Sequence, residues 1–160
     1  MTTATEIELQ SFVLLRLGER RFALAADEIA ELVAPSRVFR FPHQTKDIEG
    51  VLLRRGRIVP VCDVAEQLLG KKLTTRRFYL LAARLYGGKK EWIAIPVSGE
   101  CELIGAEMMP AGESDSNHVA GWLSHAGDVI EVLNLTALTP GPEIHAKQVT
   151  ASATFGEVHP

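Results

Sequence analysis

Six groups of residues in this chain have types that could do chemistry, and each fails on spacing, on residue type or on setting. Gly70-Lys71-Lys72 could close a phosphate loop, in which backbone N–H groups cradle phosphate and a lysine adds charge. Such a loop needs Ser or Thr after Gly-Lys and a glycine five positions before Gly70, where this chain has Lys72 and Ala65. Ser124 could be a nucleophile on a strand-to-helix elbow, but Gly121 and Gly127 each stand one residue too distant. Glu113-x-Asp115-x-Asn117 offers calcium-type oxygens, yet His118 takes the place of the turn glycine and Ser124 that of the bidentate glutamate. The histidines at 43, 118, 125, 145 and 160 include no His-Glu-x-x-His and no pair on a helix. Glu100 and Glu102 share one strand face, which reads as a solvated pair rather than an acid/base dyad. Cys62 and Cys101 sit in strand-like runs and read as buried thiols. No catalytic, cofactor-binding or metal-binding residue is assigned. The chain reads as a binding module, not an enzyme.

Length and composition bound the class. The 160 residues make one domain or two very small ones, and halves of about 60–70 residues bury too little to fold as separate beads. Seventeen Lys and Arg against 20 Asp and Glu leave a net charge of −3, which speaks against electrostatic binding of nucleic acid. No run of eighteen apolar residues could span a membrane, and the polar, acidic Met1–Glu8 is the opposite of a secretory signal. A soluble, cytoplasmic protein without membrane insertion is expected.

The elements that must position any site come as a repeat. Gly50–Val64 aligns without gaps on Gly121–Leu135, 71 residues on. Gly50/Gly121, Leu52/Leu123, Gly56/Gly127 and Val61/Val132 are identical, while Ile58/Val129, Val59/Ile130 and Val64/Leu135 stay in phase. Each copy reads as strand, glycine turn, strand, then a short element led by Asp63 or Asn134. An upstream hairpin recurs as well: 12–17 and 21–24 around Gly18, then 78–85 and 92–95 around Gly87-Gly88. A duplicated β unit therefore explains most of the chain, and two packed copies create a junction that neither has alone.

Strands are expected at about 11–17 and 20–25. Ile29, Leu32 and Val33 at 3–4 spacing predict one or two helical turns over 26–32, stopped by Pro35. Val38–Phe41 reads as a short strand and His43–Asp47 as loop. Pro60 lacks an N–H and belongs at a sheet edge or bulge. Asp63 as N-cap, Val64, Leu68 and Leu69 as apolar face, and Gly70 as stop predict a short helix. Lys71–Arg77 is a charged connector. Strands follow near 77–85, 90–97 and 100–104, then a long loop over 105–117 that is expected to be mobile. Residues 1–10 and 141–160 are expected to be flexible tails.

The first copy has a specific likeness. Val51-x-x-x-Arg55-Gly56-x-Ile58-Val59-Pro60-Val61-x-Asp63-Val64, with Ile48-Glu49-Gly50 ahead and Leu68-Leu69 behind, closely resembles the signature hairpin of the CheW-like domain. CheW-like domains are coupling modules of bacterial chemosensory arrays. The 12–17 and 22–24 strands and Asp27–Val33 are similar to the family's opening segment, so the resemblance covers about Ser11 to Thr139. It implies one domain over 11–140, all-β, built as two pseudo-symmetric five-stranded SH3-like β-barrels that share a hydrophobic junction, with short helices. The first barrel is expected at about 11–70 and the second at about 77–139, with strands able to swap across.

The resemblance also implies a non-enzymatic adaptor without cofactors. It would couple the regulatory domain of a CheA-type histidine kinase to the cytoplasmic tip of a methyl-accepting chemoreceptor, in arrays at the inner membrane. Arg55 and Gly56 match the family's Arg-Gly turn, near the kinase- and receptor-contacting surfaces. Ile29 and Glu31 match its short segment before the third strand, also implicated in partner contacts. Three departures stand out: Leu53-Arg54 replaces the usual Asn-Leu, Gln44–Lys46 lacks a second proline, and the second copy carries Asn134 for aspartate. A different class of function stays open, a stand-alone β-barrel sensor that binds a small molecule in the cleft between the barrels.

Overall fold

The structure, a computed structural model, describes residues 9–40 and 48–139. The loop at 43–47, residues 1–8 of the expected N-terminal tail and the whole 141–160 tail lie outside the described residues. The first copy and its lead-in form β1 (Gln10–Leu17), β2 (Arg20–Ala25), β3 (Ile29–Val33), β4 (Gly50–Arg54), β5 (Arg57–Val61) and helix α1 (Val64–Leu69). The second forms β6 (Phe78–Tyr86), β7 (Lys89–Val97), β8 (Glu102–Ala106), β9 (Met109–Pro110), β10 (Val119–His125), β11 (Asp128–Leu133) and α2 (Leu135–Leu138).

These strands make two sheets, in the orders β8-β1-β2-β11-β10-β9 and β3-β6-β7-β5-β4. Neither sheet comes from one half of the chain: the β1–β2 hairpin joins the second copy's hairpin, and β6–β7 joins the first copy's. The register carries the 71-residue repeat through both. Val132 lies opposite Ala23 in the parallel pair of β11 and β2, as Val61 lies opposite Ala94 in that of β5 and β7. Where β9 pairs with β10, Phe39 makes an isolated bridge to Val51. The two-residue β9 thus gives one sheet a sixth strand, and Phe39 is the stub of its counterpart in the five-stranded sheet.

Alternation along the strands divides the apolar side chains among three cores. Phe12, Leu14, Leu123 and Ile130 fill the inside of the six-stranded sheet, and Leu52, Val59, Tyr79 and Leu81 that of the five-stranded one. The largest cluster lies between them and draws on both: Leu15, Leu17, Phe22 and Leu24 meet Leu80, Ile93, Ile95 and Leu135. That is the shared junction. The second copy's helix is pinned there, since buried Arg84 donates from Nη1 to Thr139 O at 2.6 Å.

Local chemistry explains most elements and corrects two expectations. Asp63 caps α1 by accepting from Ala65 N at 3.0 Å, and Gly70 ends it at φ 82°. Pro60 pairs with Val51 on a strand inside the sheet order, not at its edge. Cys62 N donates to Ala94 O, so alternate backbone N–H groups on β5 face β7. Pro60 occupies the next such position, just before the ladder with β7 starts at Val61, where no donor is needed. The helical turns expected over 26–32 shrink to a 3-10 turn at Ala26–Glu28, and Ile29–Val33 is an edge strand paired with β6. The expected loop over 105–117 contains β9 and a clasp in which Asp115 accepts from Gly112 N at 2.8 Å and Trp122 Nε1 at 3.1 Å.

Candidate functional site

The β4–β5 hairpin presents the first candidate residues. Arg55 (φ 53°) and Gly56 (φ 77°) form a two-residue turn with both positions left-handed, and Ala126 (φ 52°) and Gly127 (φ 85°) repeat it in the second copy. Such turns match the twist of the flanking strands. Arg55 stands exposed at the tip. Behind it the hairpin is braced by a close crossing: a Cβ on Gly50 would lie 2.6 Å from Phe39 O, and one on Gly121 would lie 2.5 Å from Met109 O. The identical glycines of the repeat thus serve identical contacts.

Glu31 does not stand free. Arg54 Nε donates to its Oε2 at 3.2 Å and Nη2 to its Oε1 at 2.6 Å. This two-pronged pair holds the Glu31 carboxyl below its usual range, chiefly through the hydrogen bond, and raises Arg54. β3 and β4 are the two edges of their sheet, so the pair clips the curled sheet edge to edge. Arg54, one of the two residues that replace the family's usual Asn-Leu, thus fixes the Glu31 carboxylate. Ile29 is half-buried and packs on the junction core, while the bulge that pairs Ile29 with Ala82 and Glu31 with Leu81 sets Glu31 on the opposite face of the sheet.

The outer face of the hairpin is apolar. Leu53 (56% exposed) and Ile58 (67%) face each other across the strands, and Phe39 (40%) extends the row beside Val51. Arg37 stacks on the Phe39 ring at 4.8 Å. Apolar area ringed by Arg37, Arg55 and Arg57 has the make-up of a docking surface. The Leu53 departure enlarges it. At the same 71-residue offset the six-stranded sheet repeats part of this exposure, with Val129 (67%) for Ile58 and Leu103 (69%) for the edge-strand Leu32 (38%), while Ser124 stands for Leu53.

Glu28, next to Ile29, titrates unusually. Burial first, then Asp27, raises its carboxyl to about 7 from an ordinary 4.5, against an opposing pull from Lys90. One of its oxygens is buried without a hydrogen-bond partner among the described residues. The folded chain therefore favours the neutral acid. Ionisation works against the fold progressively as pH climbs from about 4.5 to about 7; the penalty is absent below that window and complete above it. Glu28→Gln is expected to stabilise the protein by about 1 kcal/mol at pH 8, a figure discounted for half-exposure, and to change little at pH 4. Melting curves of both proteins at the two pH values check this, and a difference that does not grow with pH would refute it.

A clasp beneath the hairpin was not legible in the sequence. Arg76 Nη1 donates to Glu49, Nη2 donates to Glu49 Oε1 at 2.9 Å and to Asp63 Oδ2 at 2.8 Å, and Nε donates to Leu73 O at 3.1 Å. Asp63 Oδ2 also accepts from Leu73 N at 2.9 Å. The acid that caps α1 thereby ties down the connector to the second half. Asn134 only caps, accepting from Ala137 N at 3.3 Å, and its copy has no such arginine among the described residues.

Burial pushes the Cys101 thiol up to about 11, so it is no thiolate nucleophile at neutral pH. Among the described residues no group of three or more His, Cys, Asp and Glu could hold a metal ion, and no helix is long and apolar enough to cross a membrane.

Residues 11–81 match the CheW-like domain family, the resemblance carried by the first hairpin. The chain's fold is similar to that of the scaffolding protein TtCheW from Thermoanaerobacter tengcongensis, with a TM-score of 0.69 at 19% identity, over 86% of this chain and 92% of that one. No curated protein matches the chain.

Proposed function

We propose that this chain, CheW-like in sequence over residues 11–81 and in fold across its described length, is a non-enzymatic adaptor of a chemosensory array. It couples the regulatory domain of a CheA-type histidine kinase to the cytoplasmic tip of a methyl-accepting chemoreceptor, working in the cytoplasm at receptor arrays on the inner membrane. The observation that carries this reading is the doubled surface. Two like barrels each offer exposed apolar residues at matching positions, Leu32 and Ile58 on one, Leu103 and Val129 on the other. A body with two docking plates is suited to hold two partners. TtCheW, whose fold this chain shares, is a scaffolding protein, which supports the same assignment. Each contact can be weak, because repetition in an array multiplies it through effective concentration.

Arg55, Gly56, Ile29 and Glu31 belong to the partner surface in this reading, with Arg54 fixing Glu31. Arg55 covers apolar surface with its stem and offers its fork to carboxylates or carbonyls. Arg55→Ala is expected to leave unfolding unchanged and to weaken binding of the kinase domain or the receptor tip by about 1–3 kcal/mol. Calorimetric titration with each partner measures it. Unaltered curves for both would remove Arg55 from the surface.

A further inference from the structure

A cavity of about 660 Å3 opens where the β1–β2 turn of one barrel meets the end of α1 and the connector of the other. That volume falls within the roughly 300–1,000 Å3 of small-molecule sites. Its charge is unlike the rest of the chain. Arg16, Arg20, Lys71 and Lys72 against the single Glu19 leave the lining at +3, on a protein whose net charge is −3. Cations converging on a concave surface focus the field on an anion.

The frame is fixed on both sides. Ser98 N donates to Arg16 O and Gly18 N donates to Ser98 Oγ, both at 2.8 Å, which leaves the Ser98 hydroxyl proton to be donated outward. The connector is held by Leu73 N on Asp63 and by Arg76 on Leu73 O. Half-buried Leu69 supplies apolar wall over the buried Leu73, and Thr74 and Thr75 line the cleft next to them. Arg20 stacks on the Phe22 ring at 4.8 Å and is shared with Glu131, 3.8 Å away, which leaves Arg16, Lys71 and Lys72 as the main cations of the cleft. No free strand edge lines the cavity: β1 is paired with β2 and β8, and β2 with β1 and β11. An acidic peptide would find no ladder to extend.

We propose that this cleft binds a small polyphosphorylated ligand of the nucleoside di- or triphosphate class. Arg16, Lys71 and Lys72, with the hydroxyls, take the phosphates, and the Leu69 side of the cleft takes the ring. The inference goes beyond the adaptor role and does not depend on it. It makes the junction between the two sheets responsive to a metabolite.

Calorimetric titration of the full chain at low salt, with ATP, inorganic tripolyphosphate and an oligoglutamate peptide as probes, tests it. ATP is expected to bind one-to-one and more tightly than tripolyphosphate. The double variant Lys71→Ala/Lys72→Ala, and separately Arg16→Gln, should each weaken ATP by about tenfold or more, the loss of charge-assisted hydrogen bonds. Lys89→Ala/Lys90→Ala, at the β6–β7 hairpin, should leave ATP binding unchanged. Absence of ATP binding, or an equal loss in the 89/90 control, would overturn the site. Tripolyphosphate as tight as ATP, or oligoglutamate tighter than ATP, would overturn the ligand class. Binding of the kinase domain is measured separately, so failure here leaves the adaptor reading standing.

Discussion

Replacing Arg76 with alanine is expected to destabilise the fold by about 3–5 kcal/mol, the cost of leaving a buried ion pair half-made. Arg76 is 20% exposed at its side chain, Glu49 15% and Asp63 4%, so water cannot compensate for the lost guanidinium. Its proton is held more tightly than usual by Glu49 first of all, so the cation persists at any pH of interest. Asp63→Asn separates the two duties of that aspartate. The amide oxygen can still cap α1, as Asn134 does for α2, but it cannot serve both Leu73 N and Arg76. Denaturant unfolding of both variants should therefore show comparable losses. A loss below about 1 kcal/mol for Arg76→Ala, the level of an exposed pair, would mean that the clasp is incidental.

Gly50→Ala and Gly121→Ala are each expected to cost about 3 kcal/mol, the upper part of the range for overpacking. At both positions the new methyl would meet a backbone carbonyl, Phe39 O at 2.6 Å and Met109 O at 2.5 Å, which cannot rotate away as a side chain could. The crossing segment must move instead. Gly56→Ala provides the contrast, since nothing lies within 4 Å of its Cβ and only its φ of 77° resists; a cost of about 1–2 kcal/mol is expected. Urea midpoints rank the three. Equal, small shifts at Gly50 and Gly121 would contradict the close crossing, and a large shift at one alone would break the equivalence of the copies.

The repeat was legible because it is written in local terms. Glycines at turns and crossings, capping residues and in-phase apolar positions all survive 71 residues apart, so both hairpins and α1 could be read directly. What the sequence concealed is what depends on distant pairing. Ile29–Val33 imitates helical spacing because a bulge between Ile29 and Glu31 interrupts its alternation, and its strand character comes from β6, some fifty residues on. The exchange of the β1–β2 and β6–β7 hairpins between sheets leaves no local trace. Arg54 and Arg76 looked like ordinary surface charges, for their acids stand 23 to 27 residues before them, with Asp63 at 13. Asp115 looked like part of a loose acidic loop, and only the fold brings Trp122 to it.

The adaptor reading requires that both docking faces be used at once. Sedimentation of the chain with a CheA-type regulatory domain and a chemoreceptor cytoplasmic tip measures that directly. A single boundary containing all three components is expected, formed from pairs that each assemble alone. Displacement of one partner by the other, or binding of neither, would contradict it.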